Sequence, residues 1–265
     1  MSFSDGTLPR RKGTLKVVGT GITFPDHLTD GARSAIGDAD IVLYVVDNKA
    51  TEAWLRATAR RTEALRTPNA DARRLSAYDA MVERTLEYVR AGLGVAAVFY
   101  GHPGMFSYPG HEAVRRARSE GYSADILPAV SSVDCLYADL ALDPAYHGYQ
   151  VFDATDFLIH RRAVNVAADL ILLQPAMVGD PAYERYRAPG LGLLVEALAD
   201  VYGLEHEIVI YEGAAESGDS GSTRRIPLAG LGEVGLKASS TLYVPPKYKA
   251  TSDLHMLIRL AREIP

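Results

Sequence analysis

Val95-Ala-Ala-Val-Phe99, followed at once by Tyr100-Gly101-His102-Pro103-Gly104-Met105-Phe106, is the stretch on which the reading of this chain turns. The apolar run has the length of a buried strand. The two glycines and the proline behind it force a sharp turn with exposed backbone. In an open α/β sheet, ligands bind beyond the carboxyl ends of the strands, so 100–106 reads as a cofactor loop.

Working outward, Leu15-Lys-Val-Val18 runs into Gly19-Thr-Gly21 as a first strand and its loop. A helical segment from Leu28 to Ala39 leads to a second strand, Ile41 to Val46. Helical spacing of Leu75, Tyr78, Met81, Leu86 and Val89 predicts a helix within Asn69–Gly92, and His111–Gly121 reads as another. Ser123 to Pro128 carries the chain to Ser131 and Ser132, which with Asp134 suit the cap of a helix from Val133 to Leu140. Alternating strands and helices predict parallel pairing in this half. Later strands at Leu170–Gln174, Glu207–Tyr211 and Thr241–Val244, with a helix over Gly192–Tyr202, predict a mixed sheet in the second half. The glycine- and serine-rich stretch Gly213–Thr223 reads as a flexible loop.

Composition narrows the function. The chain has 265 residues, 48% hydrophobic and 23% charged, with a net charge of -5. Its pI of about 5.8 supplies no basic field for nucleic acid or anionic lipid. A single cysteine, Cys135, forbids an internal disulfide and fits a reducing compartment. No apolar run reaches the ~18 residues of a membrane span, and residues 1–13 lack a secretory core and read as a flexible leader. The expectation is a cytoplasmic protein.

Several sites are weighed and set aside. Gly19 and Gly21 follow a strand, but the third glycine of a dinucleotide fingerprint would fall on Phe24, with Pro25 next, and no Walker lysine is present. His102 and His111 are nine residues apart, without metal-ligand spacing, and no serine-hydrolase elbow exists, so no metal is expected. Cys135 among Leu136, Ala138 and Leu140 reads as a small core residue, and Trp54 as packing.

Val18-Gly-Thr-Gly21, Tyr100–Phe106, Pro128-Ala-Val-Ser-Ser132 with Asp134–Leu140, Ala154-Thr-Asp-Phe157, His206–Tyr211 and Ser239-Ser-Thr-Leu-Tyr-Val-Pro-Pro246 together resemble the tetrapyrrole methylase superfamily. Within it the chain is most similar to the borosin peptide backbone α-N-methyltransferases, over roughly residues 14–248. The resemblance implies a two-lobed α/β fold, mostly parallel in the N-terminal lobe and mixed in the C-terminal lobe. It divides the chain into a leader (1–13), an N-terminal lobe with peptide-side and cofactor loops (14–127), a C-terminal lobe completing the cofactor site (128–248), and a tail or helix (249–265). It further implies a homodimer that holds S-adenosylmethionine (SAM) between lobes and releases S-adenosylhomocysteine. The short stretch after Pro246 resembles the split borosins, which act on a separate precursor peptide, with a heterotetramer of two enzymes and two precursors as one possible assembly.

Amide nitrogen is a poor nucleophile because its lone pair is delocalised into the carbonyl. Its methylation needs removal of a proton and stabilisation of charge on the oxygen. Arg74 and Tyr78, four residues apart, share one helix face and match the arginine and tyrosine implicated in borosin catalysis. Arg74 would supply fixed positive charge, Tyr78 would take the proton directly or through water, and Tyr100 is the third catalytic candidate. The resemblance assigns SAM contacts to Tyr100, His102, Met105, Phe106, Gln174, Ala214, Ser240 and Thr241. One departure stands out: Thr62–Asn69, where relatives usually carry a tyrosine, has no aromatic residue. Two other readings follow from the same residues: a SAM-dependent methylase of a tetrapyrrole or other small molecule, and a SAM- or peptide-binding module without turnover. His102 stands where tetrapyrrole methylases commonly carry an aspartate, which counts against the first.

Overall fold

The computed structural model describes residues 12–46, 48–65, 74–179 and 188–264. They fall into two compact units, one running to Leu140 and taking in Glu212–Ser222 from later in the chain, the other built from the remainder.

The first unit is a strand–helix alternation: β1 (Thr14–Gly19), α1 (Asp30–Asp38), β2 (Ile41–Val45), α2 (Lys49–Thr58), β3 (Thr62–Ala64), α3 (Arg74–Arg90), β4 (Gly94–Phe99), α4 (Tyr108–Ser119), β5 (Ser123–Ile126) and α5 (Ser132–Asp139). The five strands form one parallel sheet in the order β3-β2-β4-β1-β5. Alternate side chains of the central strands feed two cores. Leu15, Val17, Ile41, Leu43, Val95 and Ala97 pack with Met81, Val82, Leu86 and Val89 of α3 and with Ala113 and Val114 of α4. Val18, Val42, Tyr44, Ala96 and Val98 pack with Ala32 and Ile36 of α1 and Leu55 of α2. Both faces of the sheet are thus covered, as parallel strands require.

This winding fixes where a ligand belongs. The chain leaves β1 for α1 on one face, and leaves the adjacent strand β4 for α4 on the other. Neighbouring strands whose connections depart to opposite faces open a crevice at their carboxyl ends. The crevice is flanked by Gly19-Thr20-Gly21 and by the loop after Phe99.

Local chemistry sets the helix ends. Thr29 caps α1, Asn48 caps α2, and Ser131 with Asp134 forms a reciprocal capping box on α5, as expected from the serines there. Helix α4 begins at Tyr108, three residues earlier than expected, because Pro109 falls in the first turn, where its missing N–H costs nothing.

The second unit holds α6 (Pro144–His147), β6 (Tyr149–Asp153), α7 (Ala154–Ile159), β7 (Asp169–Leu173), α8 (Leu191–Tyr202), β8 (Glu207–Glu212), β9 (Ser222–Pro227), β10 (Thr241–Val244) and α9 (Leu254–Glu263). Its sheet has the order β6-β7-β10-β8-β9, with β6 parallel to β7 and β10 antiparallel to both neighbours. The mixed sheet agrees with the sequence reading. Its core gathers Leu170, Leu172, Ile208, Ile210 and Leu242 against Leu194 and Leu198 of α8 and Phe157 of α7.

Candidate active site

The two glycine loops grip each other. Gly21 N–H donates to Gly101 O at 3.3 Å and Gly101 N–H to Gly21 O at 3.0 Å, while Thr20 N–H reaches Phe99 O at 3.0 Å. A Cβ on Gly19 would stand 2.0 Å from Gly101 O, so only glycine allows this approach. Gly21 and Gly101 both take positive φ, near 70°.

Beyond Gly101 the chain makes a tight turn. Met105 N–H donates to His102 O, and Gly104 N–H donates to Nδ1 of His102 at 3.0 Å. With Nδ1 accepting, the neutral ring carries its proton on Nε2. His111 from α4 pins the turn through Nε2 at 2.8 Å from Gly104 O. Phe106 then adopts φ 51°, a left-handed conformation that a phenylalanine holds only under constraint. Tyr100, Met105, Phe106 and Tyr108 are all exposed on this loop, an aromatic surface at the carboxyl edge of the sheet.

Helix α3 returns from β3 to the amino end of β4, so its first turns lie at the same edge. Tyr78 is half-buried there, packed on the core, with its ring stacked on that of Tyr108 at 6.1 Å and 27°. Arg74 opens the helix, one turn before Tyr78; its side chain lies outside the described residues. Of the segment expected to lack an aromatic, Thr62–Ala64 is β3, and 66–69 lie outside the described residues. Tyr88 stands ten residues along α3, about 15 Å of helix rise from Tyr78. Its hydroxyl donates to Glu63 Oε2 at 2.6 Å, and that bond pushes its pKa up. Glu63 is in turn held below the usual carboxylate range by the two-pronged grip of Arg84, at 2.7 and 2.9 Å.

Cys135 is half-buried, and desolvation raises its thiol to about 11, the behaviour of a packing residue. Trp54 packs on Phe24 at 5.6 Å and under Arg33 at 5.5 Å. Trp54 is the packing residue expected from the sequence, whereas Cys135, expected in the core, sits half-buried at its margin, outside the three core clusters of the described residues.

Three of the expected cofactor residues come together in the second unit. Thr241, first residue of β10, is registered between Leu173 of β7 and Tyr211 of β8. Gln174 directly follows Leu173, and Ser240 precedes Thr241, so all three share one edge of the sheet. Ser240 and Thr241 are buried, the Ser240 hydroxyl accepting from Lys237 N–H at 2.9 Å. Gln174 takes the left-handed conformation, φ 54° and ψ 46°. Its Oε1 is buried with no hydrogen-bond partner among the described residues. A buried, unpaired amide oxygen on a strained residue costs free energy on both counts, the condition of a group shaped for a ligand's donor. Ala214 belongs to the first unit, where its carbonyl accepts from Thr23 Oγ1 at 2.7 Å. Sequence reasoning passed over Thr23 and its neighbour His27, since no local pattern signals a contact across 191 positions.

The fold, the glycine-lined crevice and this residue set define a class. The chain matches the family of tetrapyrrole (corrin/porphyrin) methylases over residues 14–219, and it belongs to that family. Two relatives carry a more particular description. A methyltransferase/ribosomally synthesized type I borosin cyclic peptide precursor of Coprinopsis marcescibilis is 37% identical over 92% of this chain and 64% of its own length. The methyltransferase/ribosomally synthesized cyclic peptide omphalotin A precursor of Omphalotus olearius is 38% identical over 94% of this chain and 62% of its own. The chain therefore spans a little under two thirds of these relatives. Among solved structures, the uroporphyrin-III C-methyltransferase of Thermus thermophilus complexed with S-adenosyl homocysteine superposes with a TM-score of 0.61 at 19% identity, covering 89% of this chain and 98% of that one. Methyltransferases of this family use S-adenosylmethionine; taken unit by unit, the crevice glycines and the exposed Met105 and Phe106 of the first offer backbone and apolar surface to such a donor, and the second offers the unpaired Gln174 oxygen.

Proposed function

We propose that this protein is a borosin-type peptide α-N-methyltransferase, which transfers methyl groups from SAM to backbone amide nitrogens of a ribosomally made precursor peptide. The observation that carries the reading is the placement of Tyr78 at the head of α3, on the same sheet edge as the Tyr100–Phe106 loop. The borosin descriptions of relatives matched over more than nine tenths of this chain support it.

The sulfonium methyl of SAM supplies the electrophile. Tyr100, His102, Met105, Phe106, Ala214, Gln174, Ser240 and Thr241 hold the donor. The residues left to the peptide do what an amide requires. Arg74 places a permanent cation beside the substrate carbonyl, favouring the form in which negative charge sits on oxygen. Tyr78 would accept the N–H proton directly or through one water and pass it on to solvent, and the freed nitrogen lone pair would take the methyl as its bond to the sulfonium sulfur breaks and S-adenosylhomocysteine leaves. Alignment of nitrogen with methyl carbon contributes several kcal/mol, ~7 when geometry is ideal.

The precursor is presented in trans, as a separate chain, and the enzyme acts as a homodimer. Helix α9 is consistent with such a contact. Leu254, Leu257 and Ile258 line one of its faces, and they are 46–69% exposed. Incubation with SAM and separate candidate precursor peptides tests the reading. One CH2 added per event at backbone positions, located by fragmentation, supports it. Methylation confined to side chains, or to a tetrapyrrole, refutes it, and binding with no S-adenosylhomocysteine formed indicates a module without turnover.

A further inference from the structure

Thr23 lies two residues past Gly21, in the turn from β1 to α1, and is only 8% exposed. Its backbone is clamped on both sides. Its N–H donates to Nδ1 of His27 at 3.1 Å, and its carbonyl accepts from His27 N–H at 2.9 Å. Gly21 makes room for that clamp, since a Cβ there would stand 2.1 Å from the Cβ of His27. The Thr23 hydroxyl is thereby aimed at one place, where it donates to Ala214 O at 2.7 Å. The next residue, Phe24, forms a parallel bridge with Glu216.

The segment on the other side of this contact has little to hold it. Residues 215–220 are exposed, and Gly213, Gly218 and Gly221 give the backbone wide freedom. A loop of that composition keeps a defined shape only where something outside it supplies a fixed partner. Thr23 is such a partner, rigid because His27 closes its turn.

We infer that Thr23 is a positioning residue for the methyl donor. By capturing the Ala214 carbonyl it fixes the peptide unit that joins Ala214 to Ala215. That unit is planar and trans, so holding its C=O also sets the direction of the Ala215 N–H, opposite to the carbonyl. The result is an oriented backbone donor beside Ala214, suited to an acceptor such as the edge of an adenine. The inference rests on the reading that Ala214 lies against SAM.

The test measures S-adenosylhomocysteine binding by calorimetry, together with KM for SAM, KM for peptide and kcat at saturating SAM. Loss of one buried hydrogen bond with its acceptor left unpaired corresponds to about a tenfold change in affinity. Thr23→Val is expected to raise the S-adenosylhomocysteine Kd and the SAM KM about tenfold, leaving kcat and peptide KM within about twofold, and Thr23→Ser to restore both. Thr23→Ala replaces the valine variant should that fail to fold. Equal losses in SAM KM, peptide KM and kcat would mark a merely structural threonine and overturn the inference. Gln174→Ala, run in parallel, separates it from the reading it rests on. If Gln174→Ala weakens binding and Thr23→Val does not, the inference falls while the site stands; if neither does, both fall.

Discussion

Replacing Gly19 by alanine probes the close approach on which the crevice depends. The added Cβ would meet Gly101 O at 2.0 Å, Pro103 Cδ at 2.7 Å and Ala129 Cβ at 2.9 Å. Gly19 is absent from the residues with positive φ, so the cost is contact and not backbone conformation. Two of the three neighbours are backbone or ring atoms that cannot rotate away, and relief requires the two loops to separate by more than an ångström. That movement breaks both hydrogen bonds between Gly21 and Gly101. Each contributes about 1 kcal/mol, and forcing a methyl into a packed site costs a further ~1–3 kcal/mol. The expected destabilisation is therefore about 3–5 kcal/mol, a large share of the ~5–15 kcal/mol that holds a typical domain. Chemical denaturation measures it, and calorimetry should show S-adenosylhomocysteine bound at least ~10-fold more weakly. Gly37→Ala is the matched control, because it lies in α1 with nothing within 4 Å of its Cβ. It should stabilise by about 0.5–1 kcal/mol through helix propensity. If Gly19→Ala kept stability within about 0.5 kcal/mol and binding within about twofold, the two loops would not touch as described.

Tyr78→Phe keeps the ring stacked on Tyr108 and removes the hydroxyl, so single-turnover methylation should slow by about 10²–10⁴ while donor affinity holds; an unchanged rate would take Tyr78 out of the chemistry. Asp169 is buried, and burial raises its pKa above the ordinary 3.8 while the hydrogen bond from Tyr243 at 3.0 Å pulls it back. Its folded state thus binds more protons than the unfolded one, and its contribution falls as pH rises from 3.8 through the raised value. Tyr243→Phe leaves that carboxylate without its donor and should cost about 1–3 kcal/mol at pH 7 and less near pH 4 in urea titrations; an equal loss at both would contradict the assignment. Leu257→Asp combined with Ile258→Asp should lower the mass measured by light scattering to that of one chain, with melting little changed, since both residues are exposed in the single chain. A dimer that survives the pair would exclude the α9 face from the interface.

Much of the fold was legible because buried parallel strands and capped helices leave strong local signals. The apolar runs at 15–18, 41–46 and 95–99, the Ser131 cap and the strand Thr241–Val244 all emerged close to the expected positions. The strands that escaped, Tyr149–Asp153 among them, contain no fully buried residue and carry no such signal. Thr62–Ala64 is three residues long, and Ser222–Pro227 is an almost fully exposed edge strand with two arginines, where solvent and not a core dictates composition. The stretch expected to be a flexible loop over Gly213–Thr223 ends in that strand and is tied at Ala214 and Glu216.

The amino-acid order by itself determined where the buried strands and the long capped helices fall, that the first sheet is parallel, and that the turn after Phe99 carries two glycines for a ligand to approach, because these depend on contacts between near neighbours and on the freedom of individual residues. Tertiary structure alone decided that Gly19 must pass under Gly101, that Thr241 stands beside Leu173 and hence next to Gln174, and that Thr23 reaches Ala214 across most of the chain. Such pairings are selected by the burial of whole faces against one another, and no stretch of residues read locally carries that information.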